Sequence, residues 1–132
     1  MNAPTKLQQR ELKRTLLWEK SPLTGGMSSG TVITLSSSDY DELEVQYKLT
    51  NGDNDPWYAK IYPKGYDINI TELSVSEGVA SNTFVMMRLL TRNSDTQYTS
   101  TTGGTIMRWG ASSSDGSFGY FCFPVRIYGI KY

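Results

Sequence analysis

The sequence contains no histidine. That removes the Ser-His-Asp and Cys-His nucleophile arrangements, histidine metal ligands, and the side chain best suited to general-base work near neutral pH. There is one cysteine, Cys122, so neither an internal disulfide nor a cysteine-based zinc site can form within the chain. No apolar run reaches the ~18 residues of a membrane-spanning helix, so no membrane insertion is expected. The opening MNAPTKLQQRELKRT lacks the apolar core of a signal peptide, and synthesis in a cytoplasm is expected. Lys and Arg number 13 and Asp and Glu number 13, a formal net charge of zero, which argues against a nucleic-acid binder held by phosphate contacts. Hydrophobic residues make up only 38% of 132 residues, which suits one domain with a workable core.

What is present favours strands. Aromatics reach 12%, tyrosine alone occurs 9 times, and Ser, Thr and Gly crowd stretches such as TLSSSDY, TQYTSTTGGT and GASSSDGSFG. These residues suit pleated surfaces and the turns between them. The chain reads as all-β.

Residues Thr5 to Thr15 are the one helix-favouring stretch, with Leu7, Leu12 and Leu16 as a thin apolar stripe. Lys6, Arg10, Lys13 and Arg14 make it basic against an otherwise acidic chain. Residues 1–15 are therefore expected to be an arm, either a short solvated helix or a segment docking onto a neighbouring subunit. Residues 16–132 are expected to form the β-domain.

Beyond the arm the period becomes two. TVITL (Thr31 to Leu35) is a short strand candidate. In DELEVQYKL, Leu43, Val45, Tyr47 and Leu49 share one face, and Glu42, Glu44, Gln46 and Lys48 the other, as in a half-buried antiparallel strand. NGDNDP is a turn, and WYAKIYP the next strand. In DINITELSV the apolar phase slips between Ile70 and Leu73, which predicts a bulge or bend. FVMMRLLT is apolar on both faces, so both must be covered. The face of Phe84, Met86, Arg88 and Leu90 is assigned to contact with another subunit, with a covering loop as the alternative. GGTIMRWG is a further strand, ASSSDGSFG a flexible turn, and FCFPVRIYGIKY a last strand in which Gly129 permits a kink. Roughly eight short, evenly spaced strands predict a single antiparallel β-sandwich, jelly-roll-like.

Candidate chemistry is sparse. Asp39, Asp41, Glu42 and Glu44 include the carboxylate types of a glycosidase, but a general acid of that kind needs a sheltered setting, and a solvated strand face is expected instead. Asp53 and Asp55 are oxygen ligands in a turn that lacks the length and closing glutamate of a calcium loop, so no metal is expected. Cys122 sits in an apolar run and reads as a small buried hydrophobe. Trp57, Tyr66, Tyr98 and Trp109 fall in or beside polar loops, where outward rings can stack on sugar faces while Asp53 and Asp55 read hydroxyls. The alternative is that Trp18 and one or both other tryptophans are core. No cofactor is expected.

The ending CFPVRIYGIKY resembles a C-terminal signature, Cys-apolar-Pro-x-Lys/Arg-Ile-Tyr-Gly-Ile, of bacteriophage tail-fibre, baseplate and head-fibre appendage domains. The opening LLWEKSPLTGGMSSGTVITLSSSDYDELEVQYK is similar to the start of the same domains, with Tyr40 to Val45 standing for a Tyr-Asp-x-aliphatic-Glu-Val motif. The resemblance spans about Leu16 to Thr50 and Gly119 to Tyr132. It implies a β-sandwich, often a homotrimer, whose last strand is integral to a sheet, with Phe121, Phe123, Val125, Ile127 and Ile130 in the core or an interface. It further implies a non-enzymatic structural protein of the virion, partnered by other virion proteins and by host-surface carbohydrate. A glycan-degrading depolymerase module and a cellular carbohydrate-binding module are the alternatives.

Overall fold

The computed structural model describes residues 12–49, 57–75, 83–100, 105–108, 114–117 and 122–132, with backbone alone at 73–75, 83–86, 105–108 and 114–117. Its strands are β1 (Lys13–Glu19), β2 (Val32–Thr34), β3 (Glu42–Lys48), β4 (Trp57–Pro63), β5 (Ile68–Val75), β6 (Thr83–Ser94), β7 (Gln97–Ser100), β8 (Thr105–Arg108), β9 (Ser114–Ser117) and β10 (Phe123–Lys131). All pairings are antiparallel. The first sheet runs β1-β10-β3-β4. In the second, β6 is the spine: β5 lies along one edge, while β7 and β8 share the other, carrying β2 and β9 beyond them. No helix lies among the described residues, and none there could cross a membrane.

Alternation turns one face of each sheet inward. Leu17, Leu43, Val45, Tyr47, Phe123, Val125 and Ile127 of the first sheet meet Ile33, Ile68, Ile70, Leu90 and Tyr98 of the second in one buried cluster. The molecule is thus the antiparallel, sandwich-like all-β fold that the sequence predicts.

Several local expectations are corrected. Lys13, Arg14 and Thr15, placed in a helix-favouring arm, are extended in β1 and pair with β10, because sheet pairing overrides helix propensity. ASSSDGSFG contains β9, which closes on β8. β5 shows no register shift along its length; the shifts fall instead in the β1–β10, β10–β3, β6–β7 and β8–β9 pairs. Lys48, expected on the wet face, is buried where β3 lies in register between Trp57 and Phe123.

Arg88 and Leu90, assigned to a subunit contact, are both buried between the sheets. Leu90 joins the core cluster. Arg88 donates from Nε to the Cys122 carbonyl (2.9 Å) and from Nη1 to Ser100 Oγ (2.7 Å), so its charge is met inside the fold. The side chains of Phe84 and Met86 lie outside the described residues.

Gly129 also differs from expectation. It is no kink. A Cβ there would stand 2.8 Å from Leu17 Cδ1 and 3.0 Å from Tyr40 Cβ. The glycine lets β10 pass directly against β1 and the Tyr40 segment. Gly129→Ala is expected to cost about 1–3 kcal/mol through overpacking, read as a lower denaturation midpoint; an unchanged midpoint would contradict this packing.

The buried polar groups fix a second expectation. Burial raises the phenols of Tyr40 and Tyr47 far above the ordinary value, Tyr62 to about 12, and the Cys122 thiol from 9.0 to about 12. Each ionises more readily in the unfolded chain, so its stabilising effect is complete below pH 9.0 and is lost as pH climbs towards 12. Arg88, lowered by burial to about 10, and Lys20, lowered by partial burial, act in the opposite sense and offset part of that loss. With no histidine to titrate, the melting temperature should stay nearly level from about pH 5 to 8 and fall above about pH 9. A level profile to pH 11 would contradict the burial of these groups.

Candidate functional site

The chain leaves the first sheet at the end of β1. A register shift between Leu16 and Trp18 against β10 re-aims this end of the strand. Leu17 goes into the core, and Trp18 is left half-buried against it. Lys20 N donates to the Val125 carbonyl (2.8 Å), the last backbone bond before the loop.

The loop then folds around the Lys20 ammonium. Nζ donates to the carbonyls of Pro22 (2.8 Å) and Thr24 (2.6 Å) and lies 5.6 Å from the centre of the Phe123 ring. Partial burial lowers the Lys20 pKa. Gly25 and Gly26 take φ of 94° and 70°, a turn that a side chain would strain. Met27 then anchors the loop in the core. Thr31 closes it, donating from N (3.2 Å) and Oγ1 (2.7 Å) to the Ser28 carbonyl, while Ser100 N donates to the Thr31 carbonyl (2.9 Å) and ties it to the second sheet.

Between this loop and the end of β1 lies a cleft of about 420 Å³. Its lining is mixed: Trp18 and Val32 are apolar, Ser21, Ser28 and Thr31 carry hydroxyls, and Glu19 and Lys20 are charged residues. Arg126 Nε donates to Glu19 Oε2 (2.5 Å) and fixes that carboxylate. The size is that of a small-ligand site. An aromatic residue, hydroxyls and charged groups around one cleft are chemistry suited to a polyhydroxylated ring: apolar sugar faces can meet an indole, and sugar hydroxyls can meet oxygen acceptors.

A smaller cleft, about 190 Å³, lies at the other end of β1, between Lys13, Thr15, Ser37, Asp39 and Lys131 over Leu17 and Gly129. Lys131 donates to Asp39 there, and Lys131, then Lys13 and Lys64, hold the Asp39 carboxyl below its ordinary range.

The residues expected to bind do not assemble into one site. Tyr66 is 66% exposed in the turn after β4, and Trp57 is 39% exposed at the start of β4. The strand between them spans about 20 Å. The Trp57 ring lies beneath Arg126, 4.8 Å from the guanidinium carbon. Tyr98, expected in a polar loop, belongs to β7 and is buried in the core, because β7 pairs with both β2 and β6 and turns the ring inward. Its hydroxyl has no partner of good geometry; the Tyr40 hydroxyl beside it donates to the Asp95 carbonyl. Asp53, Asp55, Trp109, Lys6 and Arg10 lie outside the described residues.

The acidic cluster has a structural task. Asp39 accepts from Lys131, Asp41 Oδ2 from Tyr132 N (2.8 Å), Glu42 from the Tyr132 hydroxyl, and Glu44 from Arg14. Cys122 is buried, consistent with a small core residue, and its φ of 47° turns the chain into β10.

Sequence reasoning missed Trp18, Glu19, Ser28 and Thr31. The signal was WEKSPLTGGMSSG, a tryptophan and a carboxylate followed by a glycine- and serine-rich loop, but only the fold returns that loop across the sandwich. Comparison with protein-family models gave no match, and comparison with curated proteins gave no significant one.

Because two loop carbonyls converge on Lys20, Lys20→Met should lower stability by about 1–3 kcal/mol and open the loop to protease. Unchanged denaturation and cleavage would show that the ammonium does not organise the loop.

Proposed function

We propose that the chain is a non-enzymatic module of a phage virion appendage, a homotrimer assembled with other virion proteins, that holds a host-surface glycan in the cleft between β1 and the Lys20–Thr31 loop. The cleft supports the recognition part: its lining combines Trp18, hydroxyl residues and Glu19, whose carboxylate Arg126 holds, in a volume that accepts a saccharide unit. The virion part rests on the resemblance of the two chain ends to appendage domains. It is supported by the position of β10, the strand bearing the IYGI ending, between β1 and β3. Three shallow sites on one particle component, repeated over a virion, add avidity that a single cleft lacks.

The depolymerase alternative has less support. Asp39 and Asp41 are exposed, and the half-buried Glu42 and Glu44 are taken up by the Tyr132 hydroxyl and Arg14, so none stands in the sheltered, unpaired setting a general acid requires.

Purified protein should bind cell-surface polysaccharide from a susceptible bacterium saturably, with the polymer's size unchanged. Glu19→Gln and Ser28→Ala should each weaken binding about tenfold. Accumulation of new reducing ends would favour the depolymerase reading. Neither binding nor product would leave assembly as the module's work.

A further inference from the structure

Two lysines stand directly opposite each other on β1 and β10. Lys13 pairs with Lys131, and Thr15 with Gly129. Leu17 and Ile127 of the same strands are in the core, so alternation puts these four residues on the inner face of the sheet. Directly opposed side chains have their Cβ atoms about 5 Å apart, and like charges so placed are destabilising. The segment between β2 and β3 is held against these strands by Ser36 N, which donates to the Leu17 carbonyl (3.0 Å), and by Asp41 N, which donates to the Ile130 carbonyl (2.8 Å). The cleft of about 190 Å³ lies between them.

The charge lining this cleft does not cancel. Its one carboxylate, Asp39, accepts from Lys131. Lys13 makes no ion pair among the described residues and only adds to the field that keeps Asp39 ionised. Lys64 and Asp41 stand outside the lining, one of each sign, and are engaged by the Ser38 carbonyl (2.7 Å) and the Tyr132 amide (2.8 Å). The hydroxyls also favour an acceptor. Ser37 Oγ accepts from Asp39 N (2.9 Å), which leaves its proton for a group outside the segment. Thr15 supplies a second hydroxyl.

We propose that this cleft binds an oxyanion, the carboxylate or phosphate substituent of an acidic sugar, between Lys13 and Lys131, with Thr15 and Ser37 donating to its oxygens. An anion there answers the cation that Asp39 leaves over and offsets the repulsion across the strand pair. The Trp18 cleft at the other end of β1 differs, because Glu19 and Lys20 are already met by Arg126 and by two loop carbonyls. The anion site stands on its own geometry; that its ligand is a sugar rests on the glycan reading.

Amide NMR titration of the full chain tests it, at constant ionic strength, with sodium glucuronate, glucose 6-phosphate, inorganic phosphate and glucose. Saturable shifts are expected at Lys13, Thr15, Ser37 and Lys131 with one or both anionic sugars, and none there with glucose. Whichever of the two binds more tightly identifies the substituent as carboxylate or phosphate. Lys13→Met should weaken binding about tenfold, yet melt no lower than the parent without ligand, since it removes a repulsive neighbour. Asp39→Asn should tighten binding, because Lys131 is released to the anion. Shifts that fail to saturate, or that persist unchanged in Lys13→Met, would mean an adventitious ion only and overturn the site. Inorganic phosphate binding as tightly as either anionic sugar would overturn the sugar as ligand. Loss of this site leaves glycan binding at the Trp18 cleft, read through Glu19→Gln, a separate result.

Discussion

A guanidinium inside an apolar core is costly unless its donors are met, on the order of several kcal/mol. Arg88 meets that condition by reaching across the sandwich. It starts on β6, the spine of the second sheet, bonds Ser100 at the end of β7, and ends on the carbonyl of Cys122, where the chain turns into the central strand of the first sheet. Hydrophobic burial is non-directional and would tolerate the two sheets sliding past each other. A buried cation with fixed acceptors does not. The Cys122 carbonyl has one position relative to Arg88, and the Cys122 N–H has one relative to the Leu49 carbonyl (3.2 Å). β10 therefore enters the sheet in a set register, and everything paired to it follows.

The far end of β10 is fixed by a different device. The carboxylates of Asp39, Asp41, Glu42 and Glu44 take up Lys131, the Tyr132 amide, the Tyr132 hydroxyl and Arg14. They run along one short segment because that segment flanks β10. Individually such exposed contacts contribute little, but three at the end of β10 and one on β1 together restrain strand ends that would otherwise fray. The aromatic and β-branched run of β10 is an inner strand of its sheet, latched at both ends. On the other side, Lys60 Nζ and the Tyr62 hydroxyl of β4 donate to the carbonyls of Thr71 (2.7 Å) and Asn69 (3.1 Å) on β5. Side chains thereby cover an edge that could template pairing with another chain.

The strands legible in the sequence were those whose alternation reports a buried face. β3 is the clearest: Leu43, Val45 and Tyr47 point inward as their spacing requires. β1 was hidden because KRT has helical propensity and only pairing with β10 makes it extended. β7 and β9 were hidden because QYTS and SDGS are built from turn residues, and long-range partners decide their state. On β6, Arg88 looked like an interruption of an apolar surface, since period-two reasoning reads charge as solvent; the acceptors that admit it come from residues 12 and 34 positions away. The candidate cleft failed to show for a related reason. Trp18 was visible as an aromatic, but Ser28 and Thr31 join it only because Lys20 and the two glycines bend the loop back, and Ser100 fixes its end to the opposite sheet.

Arg126 links the outer face of the first sheet to the end of β1. Its guanidinium stacks over Trp57 on the outer face, and its Nε holds the carboxylate of Glu19, a residue of the cleft's lining. In a lone chain this cation is partly exposed, and the pair is free to exchange with water. Covering this face would remove that freedom, lower the local dielectric and strengthen the Glu19–Arg126 pair. Glu19 is then held in one orientation before any ligand arrives, and less ordering remains to be done on binding.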